Sequence, residues 1–177
     1  MSLQRYAHGD PDARVVVRLA DGNDLDGIVR VGSTVMRSTH SKIMEPEVVD
    51  LLAAKFWTSD ANTPSIRAGR TYVGATGPDG REIVALATYG WEEGRAVLWK
   101  LYVLPEYQGR GLGTALLQAV MDKLVDVDHI YLPVHAGSDQ GLAFAAAIGF
   151  EEYEREEQSG MPQLIWLRRE VTAGSAG

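Results

Sequence analysis

The chain has 177 residues, no cysteine and a formal charge of −7. That excludes disulfides, thiolate metal sites and a cysteine nucleophile, and it disfavours nucleic acid, whose binders carry a basic footprint. Four scattered histidines lack HxxxH or HExxH spacing, so no metal is expected, and no apolar run approaches the ~20 residues of a membrane helix. The expectation is one domain over 1–177 with an ample core, a loose leader over 1–13 and a mobile tail over 171–177. Met1 to Pro11 is polar and lacks a signal-peptide core, so the expected location is cytoplasmic, with no membrane partner.

In chain order, Arg14–Ala20 reads as a strand and Asp21–Asp24 as a turn that caps a helix. Leu25 to about Met36 is that helix, with Leu25, Ile28, Val29 and Val35 on its apolar face. Residues 37–44 read as irregular. Glu45-Pro46 opens a second helix through Phe56, because proline is favoured at the first helical position. Thr58 to Arg67 reads as a polar loop. Thr71–Thr76 and Glu82–Tyr89 form a hairpin about Gly77-Pro-Asp-Gly80. Gly90–Gly94 turns the chain into a strand over Ala96–Val103.

That strand feeds Pro105-Glu-Tyr-Gln-Gly-Arg-Gly-Leu-Gly113, with glycine at 109, 111 and 113. A helix follows at once, with Leu112, Leu116, Val120 and Leu124 at i, i+4 spacing. The first turn of a helix carries backbone N–H groups without intrahelical partners and a positive potential. A glycine loop before it lets the backbone approach a ligand, so the stretch reads as an anion site. Arg110 adds a positive charge inside the loop. The order is neither GxxxxGK[ST] nor GxGxxG. His129–Val134 is a further strand, Asp139–Ile148 a helix ended by Gly149, and Phe150–Glu157 with Gln163–Arg169 a closing strand pair. The sum is a mixed α/β sheet of about seven strands with four helices on both faces. The strand–helix–strand unit over 97–134 implies a parallel crossover, with ligand at the carboxyl ends of its strands.

Gln108-Gly-Arg-Gly-Leu-Gly113 resembles the Q/R-x-x-G-x-G/A pyrophosphate signature of the GNAT superfamily, the acetyl-CoA-dependent N-acetyltransferases. Ser138-Asp-Gln-Gly-Leu-Ala-Phe-Ala-Ala-Ala-Ile-Gly-Phe150 resembles the family's N-x-x-A-x-x-F-Y-x-x-x-G-F segment. Phe144, Gly149 and Phe150 match; Ser138, Gly141 and Ala145 replace Asn, Ala and Tyr. The resemblance covers about 71–169 and implies a GNAT-like acyl-CoA N-acyltransferase fold with acetyl-CoA as cosubstrate. It implies a cofactor site of Leu101, Tyr102, Val103, Gln108, Gly109, Arg110, Gly111, Leu112, Gly113, Thr114, Ser138 and Phe144. The arm would enter a V-shaped gap between the fourth and fifth strands. The backbone of Leu101 and Val103 would bond it as an added strand does, and an N–H near Val103 would polarise the thioester.

The departure at Ala145 removes the hydroxyl with which relatives protonate the leaving thiolate. Along the fourth strand, alternation puts Val97, Trp99 and Leu101 on the substrate side and turns Lys100 and Tyr102 away. The proton-transfer candidates left are His135, preferred because it leaves the fifth strand near the gap, and His40 in the loop after the first helix. Without cysteine, direct attack by an amine in a ternary complex is favoured. Glu92, Glu93 and the acidic run 151–157 suggest a small cationic amine as acceptor, whether free or peptide-borne, and a homodimer stays open. Ala145 and the unionisable strand face keep a second reading in view, a catalytically silent acetyl-CoA-binding module. A domain for another nucleotide ranks third.

Overall fold

The computed structural model describes residues 14–171; the leader over 1–13 and residues 172–177 of the expected tail lie outside them. The elements are β1 (Val16–Leu19), α1 (Leu25–His40), α2 (Pro46–Phe56), α3 (Ser59–Arg67), β2 (Thr71–Thr76) and β3 (Glu82–Glu92). They continue as β4 (Arg95–Val103), α4 (Leu112–Met121), β5 (His129–His135), α5 (Asp139–Ala147), β6 (Glu151–Glu156) and β7 (Leu164–Glu170). One seven-stranded sheet runs β1-β2-β3-β4-β5-β7-β6. Among the described residues its only parallel pair is β4 with β5, joined by the α4 crossover.

A buried carboxylate fixes the first corner. Asp24, at the start of α1, is 1% exposed and accepts a two-pronged bond from Arg18 of β1 at 2.7 and 2.8 Å. It also accepts from the Asp21 backbone N–H at 2.9 Å. Arg18 donates onward to the Gly80 carbonyl in the β2–β3 turn at 2.9 Å. Burial pushes the Asp24 pKa up, but the Arg18 and Asp21 bonds outweigh it and hold it below the usual carboxylate value.

Two apolar cores sandwich the sheet. On the face here called the front, Ile28, Val31 and Val35 of α1 and Val49 and Ala53 of α2 pack on Val73, Ile83 and Leu86. On the back, Leu116, Leu117 and Val120 of α4 and Ala145 of α5 pack on Leu98, Ile130, Ile165 and Leu167. Gly32 of α1 is needed for the front core. A Cβ there would lie 1.9 Å from the Trp57 ring, which is 6% exposed.

Three expectations are corrected. Residues 59–67 form the helix α3 instead of a loop, giving five α-helices among the described residues. Thr58 caps it by accepting from the Ala61 N–H at 3.1 Å. Its buried contact is polar: Asn62 is 1% exposed and donates to the Phe56 and Thr58 carbonyls at 2.9 and 2.8 Å. A helix buried through asparagine shows no apolar period. Next, α1 continues to His40, its polar end held by Thr39 Oγ1 donating to the Val35 and Met36 carbonyls, both at 3.1 Å. Finally, the second hairpin turns at Glu93 and Gly94, both with positive φ (49° and 80°), so β3 reaches Glu92 and β4 starts at Arg95.

Candidate active site

The site begins where two strands part. β4 and β5 pair only at Ala96–Ile130 and Val97–Tyr131. Beyond that point β4 runs on to Val103 and β5 to His135 with no ladder between them. This leaves a wedge whose β4 edge offers unpaired backbone groups. The glycine loop sits at its mouth. Gly109 and Gly111 both have φ of +78°, and a Cβ at either would meet nothing within 4 Å. Gly111 is the N-cap of α4 and has no side chain to occupy the first-turn N–H groups. The cradle therefore presents bare donors at the positive end of a helix, which suits a phosphate.

Gln108 and Arg110 shape this loop from within. Gln108 Nε2 donates to the Val103 carbonyl at 3.0 Å, closing the turn. Arg110 Nη2 donates to the Glu106 carbonyl at 3.2 Å, and its guanidinium lies 5.3 Å from the Tyr107 ring centre. Gly113 has a packing reason: its Cβ would fall 2.2 Å from Phe144 Cζ of α5. Thr114 is exposed and Leu112 is buried beneath the loop.

Ser138 precedes α5 and makes no capping bond with its side chain. Its Oγ stands 2.8 Å from where a Cβ on Gly141 would be, which explains glycine in place of alanine there. Ala145 is 0% exposed and belongs to the back core. A tyrosine at 145 would overpack that core, so Ala145→Tyr is not a restoring substitution.

β4 also departs from simple alternation. Its pairing with β3 shifts between Thr88 and Tyr89, so that Trp99 is the extra residue of a bulge. Leu98 and Leu101 both pack into the back core. Tyr102 joins the front core, and Lys100 lies with its Nζ 4.4 Å from the centre of the Trp57 ring. The expectation that Leu101 shares a face with Trp99 while Lys100 and Tyr102 turn away is thus overturned. Strict period 2 fails across a bulge. Burial pushes the Tyr102 phenol up to about 12 and pulls the Lys100 ammonium down to about 8.

The two candidate histidines come together on this front face. His40 at the end of α1 and His135 at the end of β5 meet edge-to-face, with ring centres 5.2 Å apart. His40 Nδ1 lies 3.1 Å from the Met36 carbonyl and 3.0 Å from Thr39 Oγ1. Burial, then the neighbouring His135, pushes its pKa down to about 4. Burial also lowers His135, opposed by a bond to the Pro162 carbonyl. His135 Nδ1 is buried with no hydrogen-bond partner among the described residues. An open groove of about 770 Å³ lies nearby, between Ser41–Pro46 with Val48 and the β6–β7 loop at Gly160–Pro162.

The acidic residues lie elsewhere. Glu92 and Glu93 flank the turn at the start of β4, at its end remote from the glycine loop. Glu151–Glu156 form the exposed edge strand. Among the described residues no group of three or more His, Asp or Glu could hold a metal ion, and no helix is long and apolar enough to cross a membrane.

A crossover helix with a bare glycine N-terminus, set over two parting parallel strands, is the arrangement that the resemblance to the GNAT superfamily implies. The model of the Acetyltransferase (GNAT) family matches residues 38–150, more than half of the chain, and the chain belongs to that family. Over 70 residues it is 34% identical to an uncharacterized N-acetyltransferase of Staphylococcus saprophyticus, a stretch covering 40% of this chain and 44% of that relative. The fold is that of the PaiA N-acetyltransferase of Thermoplasma acidophilum, solved in complex with coenzyme A. The TM-score is 0.72 and the identity 16%, over 89% of this chain and 99% of that one. YncA from Salmonella typhimurium, solved with its cofactor acetyl-CoA, gives a TM-score of 0.61 at 19% identity over 93% and 98%.

Proposed function

We propose that this chain transfers an acetyl group from acetyl-CoA to the amine of a small molecule or peptide, by direct attack in a ternary complex. The observation that carries this reading is the wedge between β4 and β5 beneath the open glycine loop. The loop fits a pyrophosphate: Gly109 and Gly111 leave room, and the α4 N-terminus supplies donors. The free β4 edge from Leu98 to Val103 suits the amides of a pantetheine arm, which would bond it as an added strand. Phe144 on α5 and Ser138 just before it would stand beside that path. Bound acetyl-CoA supplies an activated thioester.

The chain's own groups do the rest. An N–H near Val103 polarises the thioester carbonyl. The amine arrives as its ammonium and must lose a proton before it attacks. His135 is the assigned base, because it leaves β5 beside the wedge, and burial lowers its pKa and so favours the neutral imidazole. The amine nitrogen then bonds the acetyl carbon, the C–S bond breaks, and the second proton of that nitrogen passes through water to the departing CoA thiolate, leaving amide and thiol. Much of the rate comes from holding the two reactants together.

The test has two arms. Acetyl-CoA should raise the melting temperature in proportion to RT ln(1 + [L]/Kd). Pooled primary amines should then release free thiol, faster as pH rises until the bound amine is neutral. No thermal shift at millimolar acetyl-CoA would sink the cofactor assignment. A shift without turnover would favour a silent acetyl-CoA-binding module, a reading that the core-facing Ala145 supports because α5 offers no hydroxyl there.

A further inference from the structure

The groove beside the wedge has two banks, and one histidine organises each. The first bank is the loop from α1 to α2. The His40 carbonyl accepts from the Ile43 and Met44 N–H groups at 3.0 and 2.9 Å, so its backbone folds that loop. Its ring is tied to α1, with Nδ1 3.1 Å from the Met36 carbonyl and 3.0 Å from Thr39 Oγ1. A carbonyl only accepts, so Nδ1 carries the hydrogen of the neutral ring. The second bank is the loop from β6 to β7. The His135 ring donates to the Pro162 carbonyl in that loop, and the neighbouring Ala136 N–H donates to the Gln163 carbonyl at 2.8 Å. The His135 carbonyl accepts from the Ser138 N–H at 3.1 Å, where the chain turns towards α5.

The banks meet through the two rings, which stand edge to face with centres 5.2 Å apart. Ile43 also lies against Gly137, where a Cβ would stand 3.1 Å from Ile43 Cγ2. Among the described residues no hydrogen bond or ion pair runs from 41–46 to 158–163. The charged and titratable groups on the elements that meet here are Arg37, Lys42 and Glu45 from α1 and its loop, Lys100 and Tyr102 from β4, Asp139 from α5, and Glu156 and Glu157 from β6. None of them bonds either ring among the described residues. Arg37 is paired with Asp50 at 2.6 Å, and Lys100 Nζ donates to Asn62 Oδ1 at 2.7 Å. A proton placed on either imidazole therefore gains no bonded counter-charge, loses hydration and faces a second ring that cannot offset it.

We infer that the contact between His40 and His135 is a proton-operated latch that joins the two banks of the groove while both rings are neutral and releases them when one ring takes a proton. Release brings the charged ring to water and frees the loops that each histidine organises. The groove beside the wedge thus keeps one shape at neutral pH and loosens in acid. Burial, and then His135, holds His40 neutral down to about 4, whereas a solvated imidazole titrates near 6.5. The closed state is thus favoured above 6.5 and loses ground as pH falls towards 4, and the opening constant rises by about 20-fold from pH 7 to pH 5. The latch goes beyond the acetyl-transfer reading and does not depend on it, because it is read on the protein without acetyl-CoA or amine.

The experiment is amide hydrogen exchange on the full chain at pH 7 and pH 5, with each protection factor corrected for the intrinsic exchange rate. Segments 41–45 and 158–163 should exchange through an opening smaller than global unfolding, so both should be less protected than 116–121 in the back core. From pH 7 to pH 5 both should lose protection together, by about 20-fold. His40→Phe keeps a ring against His135 but cannot titrate, and it should remove most of that loss. His40→Gln keeps a donor for the Met36 carbonyl and gives the same readout if the Phe variant fails to fold, which melting at pH 7 reports. Glu45→Gln tests the nearest carboxylate of the first bank and should leave the pH response intact. Protection in 41–45 and 158–163 that does not change with pH overturns the latch. So does a loss confined to 41–45, which would make His40 a local cap, or protection equal to that of 116–121, which would mean release only by global unfolding. A full-sized loss that persists without His40, or that vanishes in Glu45→Gln, overturns it as well.

Discussion

The two sides of β4 are built from different materials. On the back and at its carboxyl end, the loop over 108–113 and the first turn of α4 offer backbone N–H groups, glycines and an apolar floor. On the front, four titratable side chains crowd the parting strands, and burial shifts each one: His40 and Lys100 down to about 4 and 8, His135 down, Tyr102 up to about 12. Backbone donors need no tuning and bind an anion by position alone. Desolvated side chains can hold or move protons, at the cost of an environment that only packing supplies. If the proposed function holds, cofactor recognition and acceptor chemistry are separable, and substitutions on the two sides should fail differently.

The largest effect is expected at the cradle. Gly111→Asp would put a side chain and a negative charge where a phosphate would lie, at a position with φ of +78°. The acetyl-CoA thermal shift should vanish and kcat/KM fall by about 10³-fold, as for two lost charge-assisted bonds. A retained shift would mean that the loop is only a turn. On the front, His135→Ala should lower kcat by about 10²-fold and leave the thermal shift in place. An unchanged kcat would remove His135 from the mechanism.

Two glycine substitutions compare rigidity. Gly32→Ala would drive a Cβ to 1.9 Å from the ring of Trp57, which is wedged between α1 and Tyr102. A loss of about 3 kcal/mol in unfolding free energy is expected, from overpacking that cannot relax. Gly113→Ala meets only the far end of Phe144, whose side chain is 39% exposed and can swing, so about 1 kcal/mol is expected. Equal losses in denaturant melts would mean that the back side is as tightly built as the front.

The smallest effect is a pH slope. His40 is held neutral down to about pH 4, whereas in the unfolded chain it binds its proton near 6.5. Between those values the unfolded state binds more protons, so stability is full above about pH 7 and falls as pH drops through 6.5 towards 4. His135 shifts in the same direction. Asp24 acts in a lower window, losing its contribution only below the ordinary carboxylate value of 3.8. The melting temperature should drop by a few degrees from pH 7 to pH 5, and His40→Gln should flatten that drop. An unaltered slope in His40→Gln would assign it to other groups.

The amino-acid sequence by itself determined the number of strands, the successive hairpins, the parallel crossover and the glycine loop, while the place of β7 between β5 and β6 came from the fold. Each feature read from sequence is written in contiguous residues: turn pairs such as Gly77-Pro-Asp-Gly80, the i, i+4 apolar residues of α4, and the alternating glycines before it. It also marked His40 and His135 singly, as imidazoles beside a gap. Only the tertiary structure decided that they touch, since 95 positions separate them and α1 had to extend through its polar end to make the contact. It alone showed α3, because a helix buried through Asn62 has no hydrophobic period. It alone showed that alternation breaks at Trp99, because a bulge is a property of two strands in register and not of either one. Local sequence fixes backbone conformation through short-range sterics and periodic burial. The environment of an ionisable side chain is set by whatever distant residues fold over it, and that had to be seen in space.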